Sequence, residues 1–160
     1  MYCFDSEMEK KFLCDQMLAR LGKYLRAAGY DTKIISKSMP DQEIAEIAEE
    51  ENRVLITRDR HFSRYLKFKS CIIILAGNFL EDCVRELKNR ICINWLHAPF
   101  TRCIRCNTKL QKEVSLDRVP AGVRKWCQEF WTCPRCLHIY WKGSHTDRML
   151  NTLKKWNELF

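Results

Sequence analysis

The sequence predicts an α/β fold: a parallel sheet flanked by helices, then a small four-cysteine zinc ribbon and a C-terminal helix. Three observations carry this. Short apolar runs alternate with helical periodicities through the first half of the chain; two C-x-x-C pairs follow; the last stretch carries an apolar stripe at helical spacing. The runs are apolar throughout rather than alternating, as strands covered on both faces require.

Lys11-Phe12-Leu13-Cys14-Asp15 reads as a buried strand ending in an acid. Leu18, Leu21, Leu25 and Ala28 then recur at helical spacing, and Gly29 stops that helix. Thr32–Ile35 is a second strand, and Ser38-Met39-Pro40-Asp41 opens a helix with Ile44, Ile47 and Ala48 on its apolar face. Arg53–Thr57 is a third strand, with Asp59 just beyond it. Cys71–Leu75 is a fourth, followed by a helix marked by Leu80, Val84, Leu87 and Ile91. Strands alternating with helices imply a parallel sheet. Ser144 and Asp147 form an S-x-x-D cap for the last helix, whose stripe is Met149, Leu150, Leu153 and Trp156. The expected division is a core over 1–98, a ribbon over 99–143, and a helix over 144–160 that packs back on the core.

Cys103, Cys106, Cys133 and Cys136 form two C-x-x-C turns separated by 26 residues. Each turn aims two thiolates at one point, and two turns close a tetrahedron around zinc with Zn–S near 2.3 Å. Four sulfur ligands leave no open position, so this zinc is expected to be structural. The competing reading is two redox or disulfide pairs. Cys14 and Cys71 lie in apolar runs, where a thiol acts as a small hydrophobe. A zinc site, with a charged Met1–Lys11 and no signal-like run, points to a reducing cytoplasm. No 18-residue apolar stretch occurs, so no membrane span is expected.

The net charge is +8, unevenly placed. Residues 1–97 carry 16 Lys+Arg against 15 Asp+Glu, while 98–160 carry 12 against 5. The basic excess belongs to the ribbon and tail, and a polyanion such as RNA is its natural partner. A merely solvated basic surface is the plainer alternative.

Ligands of open α/β sheets bind outside the carboxyl ends of the strands. Asp15 and Asp59 fall at such ends, and Asp41 opens the helix leading into the third strand. Converging carboxylates repel unless cations neutralise them, and hard oxygen ligands select Mg²⁺ or Mn²⁺. Each acid also has a helix-capping reading: Asp15 near Gln16, Asp41 as the fourth residue of a Ser38 box, Asp59 near Arg60. Asp31 and Asp82 fit a loop and a helix start.

Residues Phe12–Arg26, Gly29-Tyr30-Asp31 and Leu55-Ile56-Thr57-Arg58-Asp59-Arg60 resemble the mut-seven C-terminal RNase domain family. Arg102–Asn107, Cys133–Cys136 and Tyr140–His145 extend the likeness, which covers about 12–150. The resemblance implies a PIN-like ribonuclease fold carrying a zinc ribbon, with Asp15, Asp41 and Asp59 as the metal-binding acids. PIN nucleases often carry a further acid on an early helix, and here Gln16–Tyr30 contains none. One metal is then expected, with a second only when substrate phosphate is present.

Arg20, Lys23 and Arg26 recur on the helix after Asp15 and could line an RNA path; Arg58 and Arg60 flank Asp59; His145 and Arg148 open the last helix. Trp126, Phe130, Trp131, Tyr140 and Trp141 crowd the ribbon, where they serve either as its core or as base-stacking surfaces. The expected function is metal-dependent hydrolysis of RNA phosphodiesters, tRNA and rRNA being candidate substrates. The alternatives are a non-catalytic RNA-binding or ribosome-associated adaptor, and a protein-interaction module built on the ribbon.

Overall fold

The computed structural model describes residues 10–35, 39–65, 72–113 and 115–159. Strands β1 (Lys11–Cys14), β2 (Asp31–Ile34), β3 (Val54–Thr57) and β4 (Ile72–Ile74) form a parallel sheet in the order β2-β1-β3-β4. Helices α1 (Ala19–Ala27) and α2 (Asp41–Glu50) make the first two crossovers, and α3 (Leu80–Arg90) follows β4. The expected α/β architecture is therefore present.

Alternate residues of the central strands enter opposite layers. Phe12, Cys14, Val54 and Ile56 pack with Leu21 and Leu25 of α1 and Val84 and Leu87 of α3. Leu13 and Leu55 pack with Ile44 and Ala48 of α2 and with Phe62. Phe12, Leu13, Cys14, Leu55 and Ile56 are fully buried, which is why their runs carry no polar alternation. The fourth strand was expected to be equally buried. Ile72 and Ile74 are instead half-buried, because among the described residues β4 is an edge strand, paired with β3 alone. Cys71, Ser38 and Met1–Glu9 lie outside the described residues.

Gly29 ends the first helical segment at φ +100°, and a Cβ there would meet the Ala98 carbonyl oxygen at 2.4 Å. Only glycine fits that approach. The final helix, α5 (Ser144–Leu159), lays Leu153 and Trp156 onto the core. The Trp156 ring lies 4.7 Å from Tyr24 and 5.0 Å from Trp95, and Asn157 Oδ1 accepts from the Trp95 N–H at 3.0 Å. The helix begins at Ser144 itself, one residue earlier than an S-x-x-D cap needs. The Asp147 N–H donates to the Gly143 carbonyl at 2.9 Å instead.

A second, antiparallel sheet contains β5 (Gln111–Glu113), β6 (Phe130–Thr132) and β7 (Ile139–Trp141), with the single-turn α4 (Ala121–Arg124) before β6. The first cysteine turn docks where the parallel strands begin. Arg26, at the end of α1, donates to the carbonyls of Ile104 at 3.0 Å and Arg105 at 2.9 Å. Asn107 Oδ1 accepts from the Thr32 N–H at 2.9 Å, and its Nδ2 donates to Asp31 Oδ1 at 2.7 Å. Arg26 is 6% exposed, so the RNA path expected along Arg20, Lys23 and Arg26 does not include it. Its partners are the carbonyls of Thr32, Ile104 and Arg105.

Candidate active site and metal centres

The strand order reverses between β1 and β3, since the chain leaves β1 for β2 on one side and returns to β3 on the other. The crevice outside the carboxyl ends at such a point is where open sheets bind ligands. Asp15 and Asp59 emerge from these two strands.

Asp15 is tied down by donors from the turn that follows β1 and from the end of β3. Its Oδ1 accepts from the Leu18 N–H at 3.0 Å, capping a 3-10 turn over Gln16–Leu18. Its Oδ2 accepts from Thr57 Oγ1 at 2.5 Å and from the Arg58 N–H at 3.1 Å. Thr57 Oγ1 in turn accepts from the Asp59 N–H at 2.9 Å. One fully buried hydroxyl therefore joins the two strand-end acids. The Arg58 guanidinium reaches Asn78 Oδ1 at 2.5 Å, bridging to the loop before α3.

The structure gathers Asp41, Asp59 and His61, whose ligand atoms all lie within 4.8 Å of one another. Asp15 is not part of that group and connects to it through Thr57. Asp41 is the first residue of α2, with Pro40 as the cap, so it is not the fourth residue of a box opened at Ser38. Asp59 does fill the turn role open to it, accepting the His61 N–H at 2.8 Å. That turn carries the imidazole back, with Nδ1 3.4 Å from Asp59 Oδ1. Sequence reasoning missed His61. A histidine two residues after a strand-end acid, at the start of a tight turn, was the available signal. Two carboxylates and an imidazole suit a small divalent cation bound at an open surface: side-chain exposure is 40% at Asp59 and 72% at His61.

The four cysteines form the second group. Cys103 Sγ lies 3.5 Å from Cys136 Sγ, and Cys106 Sγ lies 3.3 Å from Cys133 Sγ. These separations exceed a disulfide bond of about 2.05 Å. They approach the edge of about 3.8 Å that a tetrahedron of 2.3 Å Zn–S bonds would have. The residues thus fit a zinc ion. Both turns are built alike. In each, the first cysteine's carbonyl accepts from the N–H four residues on, at 2.8 Å from Asn107 and 2.9 Å from Leu137. Both those residues are left-handed, at φ 73° and 60°. Tyr140 Oη lies 3.0 Å from Cys103 Sγ, the kind of outer contact that orients a metal ligand. Burial opposes ionisation of Cys106, yet hydrogen bonds with Thr108 and neighbouring thiols bring its thiol down to about 6. Cys14 behaves oppositely: burial, then the Asp15 charge, pushes its thiol far above the ordinary range, which removes it as a nucleophile.

The other expected RNA contacts are dispersed. Arg20 and Lys23 are exposed on α1. His145 and Arg148 pair with each other, Arg148 Nη2 lying 3.1 Å from His145 Nδ1. Their end of α5 sits against the ribbon, where Thr146 Oγ1 donates to the Trp141 carbonyl at 2.9 Å. Asp31 belongs to the opposite end of the sheet from the acids, bonded to Arg53 at 2.7 Å, and Asp82 lies in the first turn of α3.

Comparison with known proteins adds to this geometry. The human protein described as "Exonuclease mut-7 homolog" is 24% identical over 111 residues, covering 67% of this chain and 13% of that protein. The chain thus spans about an eighth of that relative's length. No solved structure matches. The family model described as "Mut7-C RNAse domain" matches residues 10–153, which takes in the strand-end acids and both cysteine turns. The chain belongs to the Mut7-C RNAse domain family.

Proposed function

We propose that this protein is a metal-dependent ribonuclease that hydrolyses RNA phosphodiester bonds at the carboxyl end of its parallel sheet. The observation that carries the reading is the convergence of Asp41, Asp59 and His61 beside the Thr57-linked Asp15, at the point where the strand order reverses. Asp41, Asp59 and His61 would hold Mg²⁺ or Mn²⁺. Such an ion, when bound, lowers the pKa of water and neutralises charge on the phosphodiester. Asp15 fixes the ends of β1 and β3, and Arg58 beside it offers a cation to the substrate backbone. The four cysteines would hold a structural zinc, and the basic ribbon would grip RNA. The division into a 1–98 core, a 99–143 ribbon and a 144–160 helix belongs to this proposal, as does residence in the cytoplasm, where thiols stay reduced.

The test is Asp59→Asn. The substitution keeps size and still accepts the His61 N–H, but removes one negative charge from the group. Stability without added divalent ions should stay within about 0.5 kcal/mol of the parent, as for other exposed sites. Mn²⁺-dependent cleavage of single-stranded RNA should disappear. Chelators are avoided, because they would also strip the cysteines. Cleavage at the parental rate by Asp59→Asn would remove the acids from the chemistry. A parent free of contaminants that never cleaves with Mg²⁺ or Mn²⁺ would leave the RNA-binding adaptor in place of the nuclease.

A further inference from the structure

The ribbon's aromatics divide into two kinds. Phe130 is 1% exposed and forms the ribbon's interior, and Trp131, Tyr140 and Trp141 are half-buried. Trp126 is 59% exposed, although indoles are normally well buried. It is not isolated. A Cβ at Gly143 would stand 3.3 Å from the Trp126 ring and 3.2 Å from Trp141 Nε1, so the two indoles flank that glycine. Glycine keeps the space between them open and lets both rings approach the backbone.

The surroundings are cationic. Arg124 and Lys125 precede Trp126 and are exposed; Lys142 precedes Gly143 and is 74% exposed; His145 and Arg148 follow and are exposed. Glu129 lies 4.0 Å from the Lys142 ammonium, and Asp147 is exposed in the first turn of α5, so cations outnumber acids along these segments. An apolar protein partner would explain the ring but not the ring of cations. A nucleic acid strand explains both, since an unpaired base offers an apolar face and its backbone a phosphate.

We propose that Trp126 is a stacking platform for an unpaired base of single-stranded RNA, backed by Trp141 across Gly143, with Arg124, Lys125 and Lys142 beside it to receive phosphates. The platform deepens the ribonuclease reading, since it names the strandedness of the substrate. Stacking is sequence-tolerant because every base has such a face, so the platform would select unpaired over paired RNA rather than one sequence.

The test uses the full chain in an Asp59→Asn background, which leaves bound RNA uncut, without added divalent ions. Anisotropy of a labelled single-stranded oligoribonucleotide, and of the corresponding duplex, is read for Trp126, Trp126→Ala, Trp126→Leu and Trp126→Phe. Zinc content checks that the ribbon is intact. Alanine and leucine should weaken single-strand binding by about 5- to 150-fold, the range for losing one stacked base, and phenylalanine should restore most of it. Duplex affinity and the salt slope should change little, because phosphate contacts remain. Leucine keeps apolar bulk without stacking, so a leucine variant that binds like the parent would overturn the proposal, as would equal losses on duplex and single strand, or no RNA binding by the parent. Trp126-dependent binding here, together with no cleavage by the protein that retains Asp59 in Mg²⁺ or Mn²⁺, would sustain the platform while removing the nuclease reading.

Discussion

The two ends of the parallel sheet use the same residue type in opposite ways. At the amino end, Asp31 meets cations and an amide: Arg53 at 2.7 Å, Asn107 at 2.7 Å and Arg102 at 4.0 Å. At the carboxyl end, Asp59 meets another acid and an imidazole, in the open. The first arrangement is complete as it stands, and it holds the ribbon to the core. The second is left short of positive charge. An aspartate whose partners are already present is structural, and one that faces another acid is where a bound cation would relieve the most repulsion.

The largest effect that could sharpen this contrast is at the cysteines. Cys133→Ser should reduce bound zinc from about one per chain to none and unfold β5–β7, because metal binding supplies the folding energy of such small units. Elemental analysis and the thermal midpoint measure it. Mn²⁺ affinity at Asp41, Asp59 and His61 should survive as far as the core stays folded. Retained zinc with an unchanged midpoint would show that the tetrad does not organise the ribbon.

Asp31→Asn should cost about 2 kcal/mol, the scale of hydrogen bonds to charged groups, whereas Asp59→Asn costs almost nothing. The pH dependence separates them further. Burial raises the Asp31 carboxyl, but bonds from Arg53 and Asn107 outweigh it and hold the group below its ordinary value. Its contribution is therefore complete above the unfolded value near 3.8 and is lost as pH falls through the lower folded value. Urea unfolding across the acid limb should show a slope in the parent that Asp31→Asn flattens. Equal slopes would mean that Asp31 is not the group in charge.

The smallest effect compares the two cysteine turns. Leu137 holds φ 60° and is 60% exposed, where the first turn uses Asn107. Leu137→Asn should raise ribbon stability by about 0.5–1 kcal/mol, because asparagine tolerates the left-handed region better. Denaturant midpoints at saturating zinc would detect it, and a loss would point to a contact made by the leucine.

The strands, the helices and the cysteine turns were legible because each rests on local pattern: unbroken apolar runs, helical spacing, fixed ligand intervals. What escaped was non-local. Arg26 shares its spacing with Arg20 and Lys23, and nothing near it in sequence reveals that the carbonyls of Ile104 and Arg105 lie against it. Strand-end position marked Asp15 and Asp59, but not that Thr57 would stand between them or that the turn after Asp59 would return His61. Among five crowded ribbon aromatics, only folding separated buried Phe130 from exposed Trp126.

The docking of the first cysteine turn has a bearing on colloidal behaviour. Strand β2 is an outer strand, yet Asn107 accepts its Thr32 N–H and Arg26 Nε donates to its Thr32 carbonyl at 2.8 Å. The ribbon thus acts as a cover over a sheet margin that would otherwise be a template for another chain. Demetallated protein would lose Asn107 from that margin, and its failure should take the form of turbidity and intermolecular β-structure rather than quiet local softening.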